Sequence, residues 1–145
     1  MPGWISAGYD EYARRLPPEL PLVLAEIKPG HRAAGEDGAR ARQVEAGRIL
    51  AALPAGCVPV VLDEGGVQAD THELAAWLRT WMAEGVSPAF VIGGADGLDA
   101  SVKARAGKLL GLSKLTLPHA LVRVVLAEQL YRAVCIIRGH PYHRD

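Results

Sequence analysis

Residues 88–94 read PAFVIGG. The run opens on proline, carries four apolar side chains in succession and stops at a glycine pair. A short apolar run without polar alternation, bounded by breakers, is the pattern of a strand buried on both faces, as parallel sheets use. Working outward, CVPVVLD at 57–63 has the same character and is followed by the turn-like DEGG at 63–66. Between the two, Asp70 and Glu73 have capping-box spacing and open an amphipathic helix running through Met82. PLVLAEIK at 21–28 is read as a further strand, KPGHRAAGEDGA at 28–39 as a long loop and ARARQVEAGRILAAL at 39–53 as a helix. WISAGYDEYARRL at 4–16 places Ile5, Tyr9, Tyr12 and Leu16 at helical spacing before Pro17 and Pro18. After the glycine pair comes a short helix capped by Asp99. KLLGLSKLTL at 108–117 then reads as a short strand, a loop and a strand end, and HALVRVVLAEQLYRAVCIIRG at 119–139 as one long helix. Alternating strands and helices predict an α/β domain, a mainly parallel sheet flanked by helices, over residues 1–145.

The 145 residues are 50% hydrophobic and 22% charged, a composition able to build a core. The apolar runs are broken well before the ~20 residues that a membrane span needs. The opening MPGWISAGYDEYARRL has no basic region followed by an apolar block, so a signal peptide is not expected and a cytoplasmic location is. Cys57 and Cys135 each lie in apolar segments and are read as buried reduced thiols. Without CxxC or HExxH spacing, no metal site is expected.

Net charge is zero, but the charges are not evenly spread. Residues 49–100 carry one basic side chain, Arg79, against seven acidic ones, whereas residues 101–145 carry eight basic ones against Glu128 and Asp145. The last third offers a positive face to an anion or a nucleic-acid backbone, or carries ordinary solvated helix charges.

Three strand ends are the places for a ligand. VIGGADG at 91–97 runs a buried strand into Gly93 and Gly94, where bare backbone can meet a ligand. Its spacing is not GxGxxG, and no GK[ST] makes a phosphate loop. LDEGG at 62–66 is a second end and SKLTLPH at 113–119 a third. No serine, cysteine or carboxylate pair stands out as a nucleophile or acid–base couple. The pattern fits a binder of a cofactor that brings its own reactive group.

VIGGADGL, SKLTLPHALVRVVLAEQLYRA and GHPYHRD, in this order and spacing, closely resemble the ribosomal RNA large subunit methyltransferase H family. These are small SPOUT-class enzymes with a trefoil-knotted C-terminal half, and the similarity extends over essentially the whole chain. The resemblance implies methyl transfer from S-adenosylmethionine to N3 of a pseudouridine in helix 69 of bacterial 23S ribosomal RNA. It also implies a homodimer whose knot helices pack together. The cofactor pocket it implies is Leu62, then Gly93 and Gly94, then Leu112, Ser113, Lys114, Leu115, Thr116 and Leu117. The wide apolar arc of Leu121, Val122, Val125, Leu126, Leu130, Ala133, Val134 and Ile137 is then expected to serve both knot and dimer. One departure is that family members begin with a short apolar strand ahead of the point where MPGW starts here.

On this reading the tail carries chemistry: His140, Tyr142, His143 and Arg144 are the candidate catalytic residues, expected over the cofactor mouth. Tyr142 suits stacking on a base, Arg144 holding a phosphate, and either histidine assisting loss of the N3 proton. The alternative is that Pro141 and Tyr142 simply pin the terminus. Glu128 and Arg132 form an (i, i+4) pair, exposed or at an interface. His119 is expected to cap or pack beside Pro118, His72 to be structural, and His31 and Arg32 to be loop charge or RNA contacts. Trp77 and Trp81 are read as core or interface. Zero net charge suggests 23S RNA presented within the ribosome or large subunit, since affinity for free RNA rests on phosphate neutralisation. A related knotted transfer-RNA methyltransferase, and a non-catalytic dimeric RNA-binding module, stand as alternatives.

Overall fold

The computed structural model describes residues 2–31, 34–35, 37–94 and 97–143. In chain order the elements are helices α1 (Gly3–Ala13) and α2 (Ala39–Ala52), strand β1 (Val58–Gln68), helix α3 (Thr71–Glu84), strand β2 (Pro88–Val91), helix α4 (Ala100–Ala104), strand β3 (Lys108–Gly111), helix α5 (His119–Arg138) and a 3-10 turn at Pro141–His143. They fall into two compact units, each made of separate stretches of chain. One comprises Leu24–Gln68 and Val86–Lys114; the other comprises Met1–Val23, Ala69–Gly85 and Leu115–Asp145.

The first unit is α/β. Its three strands are parallel in the order β2-β1-β3. Val61 of β1 is paired with Val91 on one side and Leu109 on the other. The core on this face joins Val61 and Val91 to Ala46 and Ile49 of α2 and Val102 of α4, with Ile27, Leu53, Leu98, Ala106 and Leu109 around them. Val60 and Leu110, with opposite alternation, are buried as well, so the central strand is covered on both faces, as its unbroken apolar run required. α4 begins at Asp99, whose carboxylate accepts from Ser101 N and Oγ, as expected of its cap.

Two segments depart from the expected elements. PLVLAEIK carries no strand pairing among the described residues, although Ile27 reaches the core. Apolar sequence supplies strand propensity but not a neighbour, and without a ladder partner Val23 is left 81% exposed. Just beyond, side chains of α2 hold the backbone: Gly30 N donates to Glu45 at 2.9 Å, and Arg48 donates to the carbonyls of Lys28 and Pro29. DEGG is not the end of β1. Leu62 and Val67 both pair with Leu110, so residues 63–66 bulge out of the ladder and pairing resumes at Val67 and Gln68.

The second unit is helical. α5 packs against both α1 and α3. Ile5 and Tyr9 of α1, Leu74, Ala75, Leu78 and Trp81 of α3, and Leu126, Ala127, Leu130, Ala133, Val134 and Cys135 of α5 are buried. Gly8 permits the α1–α5 approach, since a Cβ there would lie 3.2 Å from Val124. α3 starts with the expected capping box: Asp70 accepts from Glu73 N at 2.8 Å, and Glu73 returns the bond to Asp70 N. Trp81 is buried beside a half-buried Trp77, the rings 6.4 Å apart. The segment read as a strand end, 115–117, has no regular structure. Among the described residues, no helix is long and apolar enough to cross a membrane.

Candidate functional site

Because the strands are parallel, the β1 bulge that follows Leu62, the Gly93–Gly94 pair after β2 and Leu112–Lys114 after β3 lie towards the same, carboxyl end of the paired strands. That is the edge where open α/β sheets bind ligands, in a crevice bounded by backbone. The glycine pair is not uniform. A Cβ on Gly93 would meet Leu98 Cγ at 3.0 Å and Gly97 C at 3.3 Å, so a side chain here would press on its neighbours. A Cβ on Gly94 would meet nothing within 4 Å. Gly94 O accepts from Gly97 N at 3.0 Å, and Gly97 has φ +77°, a conformation that favours glycine. Ala95 and Asp96 lie outside the described residues. An edge lined by open glycine and strand-end backbone offers N–H and C=O partners to a flat, polar-rimmed ring of about adenine size. Lys114 is exposed, and Leu112 and Ser113 half-buried.

Leu115, Thr116 and Leu117 belong to the helical unit, where Leu115 is 73% exposed. So does the tail. Gly139, at φ +71°, ends α5, and His140 N donates back to Cys135 O at 2.8 Å, turning the chain out of the helix. The turn docks Tyr142 on α5. Its hydroxyl donates to Glu128 Oε1 at 3.2 Å, and its ring meets that of Tyr131 edge-on at 4.7 Å. The Arg132 guanidinium lies 4.8 Å over the Tyr142 ring. Burial first, then the Glu128 charge, pushes the Tyr142 phenol up to about 12. Glu128 is the hub. It takes Arg132 through Nη2 at 2.6 Å and Nε at 2.8 Å, and Gln129 Nε2 at 2.7 Å. Gln129 in turn accepts from Thr71 Oγ1 of α3 at 2.6 Å.

The tail reading therefore comes out more tightly built than expected. Tyr142 does pin the terminus, and the Glu128–Arg132 pair is part-buried and bonded to the tail. His140 is exposed, and its Nδ1 accepts from Tyr142 N at 3.2 Å, which leaves the neutral ring's proton on Nε2. His143 closes the 3-10 turn, and Arg144 lies outside the described residues, as does Arg32. His119 does not cap α5: Pro118 is the N-cap, its carbonyl accepting from Val122 N, and the His119 side chain is exposed. His72 is exposed, Cys135 is buried and Cys57 only partly so. Sequence reasoning missed the Glu128–Tyr142 bond, because fourteen residues of spacing across a helix end carry no periodic signal. It also missed the salt bridge of Asp63 with Lys103 on α4, Oδ1 to Nζ at 3.0 Å.

A family model described as "Predicted SPOUT methyltransferase" matches residues 1–143. A protein of Thiobacillus denitrificans (strain ATCC 25259 / T1) named Ribosomal RNA large subunit methyltransferase H is 74% identical over 145 residues, covering 100% of this chain and 93% of its own. Proteins of the same name from Ralstonia pickettii (strain 12J) and Burkholderia multivorans (strain ATCC 17616 / 249) are 56% and 55% identical over 144 residues. Each match covers 99% of this chain and 92% of the relative. The chain belongs to the ribosomal RNA large subunit methyltransferase H family. This SPOUT methyltransferase carries two constellations, a glycine-lined strand edge in the α/β unit and a hydrogen-bonded aromatic tail in the helical one.

Proposed function

We propose that this SPOUT methyltransferase transfers the methyl group of S-adenosylmethionine to N3 of pseudouridine 1915 in helix 69 of bacterial 23S ribosomal RNA, as a cytoplasmic homodimer. The observation that carries the reading is the 74% identity, across the whole chain, to a protein named for methylation of large-subunit ribosomal RNA. The proposal takes residues 1–145 as one functional domain, its C-terminal half tied in the family's trefoil knot.

Leu62, Gly93, Gly94 and the run Leu112–Leu117 would hold the cofactor, mainly through backbone groups. Bound there, it supplies an electrophilic methyl on a sulfonium centre. The protein's share is alignment and exclusion of water, because a base nitrogen attacks that methyl directly once lined up. The N3 lone pair becomes available when N3–H gives up its proton, and the tail is assigned to that step. Either His140 or His143 assists loss of that proton, Tyr142 anchors the turn and offers a ring to a base, and Arg144 is a phosphate contact. The half-buried remainder of the α5 arc, Leu121, Val122, Val125 and Ile137, is available for the homodimer contact.

Calorimetric titration of S-adenosylmethionine into the purified protein, beside Gly94→Trp, tests the cofactor edge. The open position at Gly94 lets the variant fold, so the expected result is binding by the parent and none by the variant. Mass spectrometry of ribosomal and transfer RNA after incubation with the cofactor then tests the substrate. Label at pseudouridine 1915 of assembled ribosomes is expected. Label in transfer RNA alone would move the enzyme to another substrate class. A folded parent that ignores S-adenosylmethionine would leave an RNA-binding module as the better account.

A further inference from the structure

We infer that Asp63, which the reading above leaves without a role, is the positioning residue of the cofactor edge: one carboxylate ties together the β1 bulge and the loops after β2 and β3. The inference rests on that reading and deepens it. Asp63 immediately follows Leu62, at the point where β1 swings out of its pairing with β3. Its Oδ2 accepts from Gly65 N at 3.1 Å, closing the bulge on itself. Its Oδ1 meets Lys103 Nζ at 3.0 Å, and Lys103 lies on α4, the helix into which the Gly93–Gly97 loop leads. The bulge so held is laid on the end of β3. A Cβ at Gly66 would stand 2.7 Å from the backbone carbons of Leu109 and Leu110, and one at Gly111 would stand 2.9 Å from Gly66 O. Gly111 is the last residue before Leu112–Lys114.

The chain of contact is thus short. Lys103 sets α4 and the loop before it against Asp63; Asp63 sets Gly65; and the bulge, through Gly66, sets Gly111 and the loop after it. The hydrogen bond from Lys103, followed by that from Gly65 N, holds the Asp63 carboxyl below the usual carboxylate range, so the link is charged at neutral pH. The two side chains are 40% and 25% exposed for Lys103 and Asp63, and ion pairs with that much solvent add little to folding stability. Position, rather than stability, is what the pair has to offer.

The test is a double-mutant cycle read by two measurements, affinity for S-adenosylmethionine by calorimetry and Tm by thermal unfolding. Asp63→Asn is expected to weaken binding about tenfold, since a backbone-lined site loses affinity when its walls shift by a fraction of an ångström. Its Tm should fall by less than about 3 °C. Lys103→Met is expected to weaken binding roughly threefold, and Lys103→Arg, which keeps the pair, to restore it to near the parent value. The double variant Asp63→Asn/Lys103→Met should bind no worse than Asp63→Asn alone. A parent that binds beside an Asp63→Asn that binds equally well overturns this inference and leaves the methyltransferase reading standing. So do independent, multiplying losses from the two single variants. A folded parent that does not bind overturns the cofactor reading and this inference with it.

Discussion

The strand edge and the helix–tail cluster are built from opposite materials. At the edge the contacts are backbone on backbone: Gly66 against Leu109 and Leu110, Gly111 against Gly66 O, Gly93 against Gly97. In the cluster they are side chain on side chain, with Glu128 accepting from Arg132, Gln129 and Tyr142 and Arg132 stacked over the phenol. The difference is one of sensitivity. The edge is damaged by adding atoms and indifferent to most deletions, while the cluster is damaged by removing atoms. A scan by alanine therefore sees the second and passes over much of the first.

Gly66→Val puts that contrast to its severest trial. Its branched Cβ would press on the β3 backbone at Leu109–Gly111, which cannot rotate away, and we expect a loss of roughly 3 kcal/mol or more in urea unfolding. Gly94→Ala, where an added Cβ would meet nothing within 4 Å, should change stability by less than about 0.5 kcal/mol. Equal losses at the two glycines would break the comparison. On the other side, Glu128→Ala removes one acceptor from three donors and is expected to cost about 2 kcal/mol. Tyr142→Phe, which keeps the ring over Arg132 and loses only the hydroxyl bond, should cost about 1 kcal/mol. The two should be non-additive in a double-mutant cycle, because they share that bond.

The smallest effect is a pH dependence that sharpens the contrast further. The Tyr142 phenol is pushed up to about 12, above its ordinary value of 10.0. A group that binds its proton more tightly when folded stabilises fully below its unfolded pKa and loses that contribution as pH rises through the folded one. Docking of the tail should therefore weaken between pH 10 and about 12, followed through the near-ultraviolet signal of the tyrosines, and Tyr142→Phe should abolish that phase. Nothing comparable is expected at the glycine edge, where Asp63, held low by Lys103, contributes above the unfolded pKa of an aspartate and loses its effect only in acid.

Much of the α/β layout was legible because burial on two faces leaves an uninterrupted apolar run, as in Val58–Leu62 and Ala89–Val91, and because caps are local chemistry, as in Asp70 with Glu73 and Asp99 with Ser101. PLVLAEIK misled for the complementary reason: its propensity is local, but a ladder needs a neighbour, and none is found among the described residues. DEGG carried the composition of a turn and became a bulge, since only the register of β3 decides whether pairing resumes at Val67.

The candidate site divides along the same line. Gly93, Gly94 and the histidine-rich tail could be picked out from residue type alone, and so could the Glu128–Arg132 pair from its helical spacing. Asp63 could not, because its partners lie two and forty residues away and only the packing of α4 beside β1 brings Lys103 to it. By itself the sequence determined the family, the alternation of strands and helices and the residue types at the strand ends, all of which are local or inherited along the chain. The tertiary structure alone decided which strand neighbours which, where β1 bulges and which carboxylate holds each cluster together. Those depend on distances between residues remote in sequence, and no periodicity encodes them.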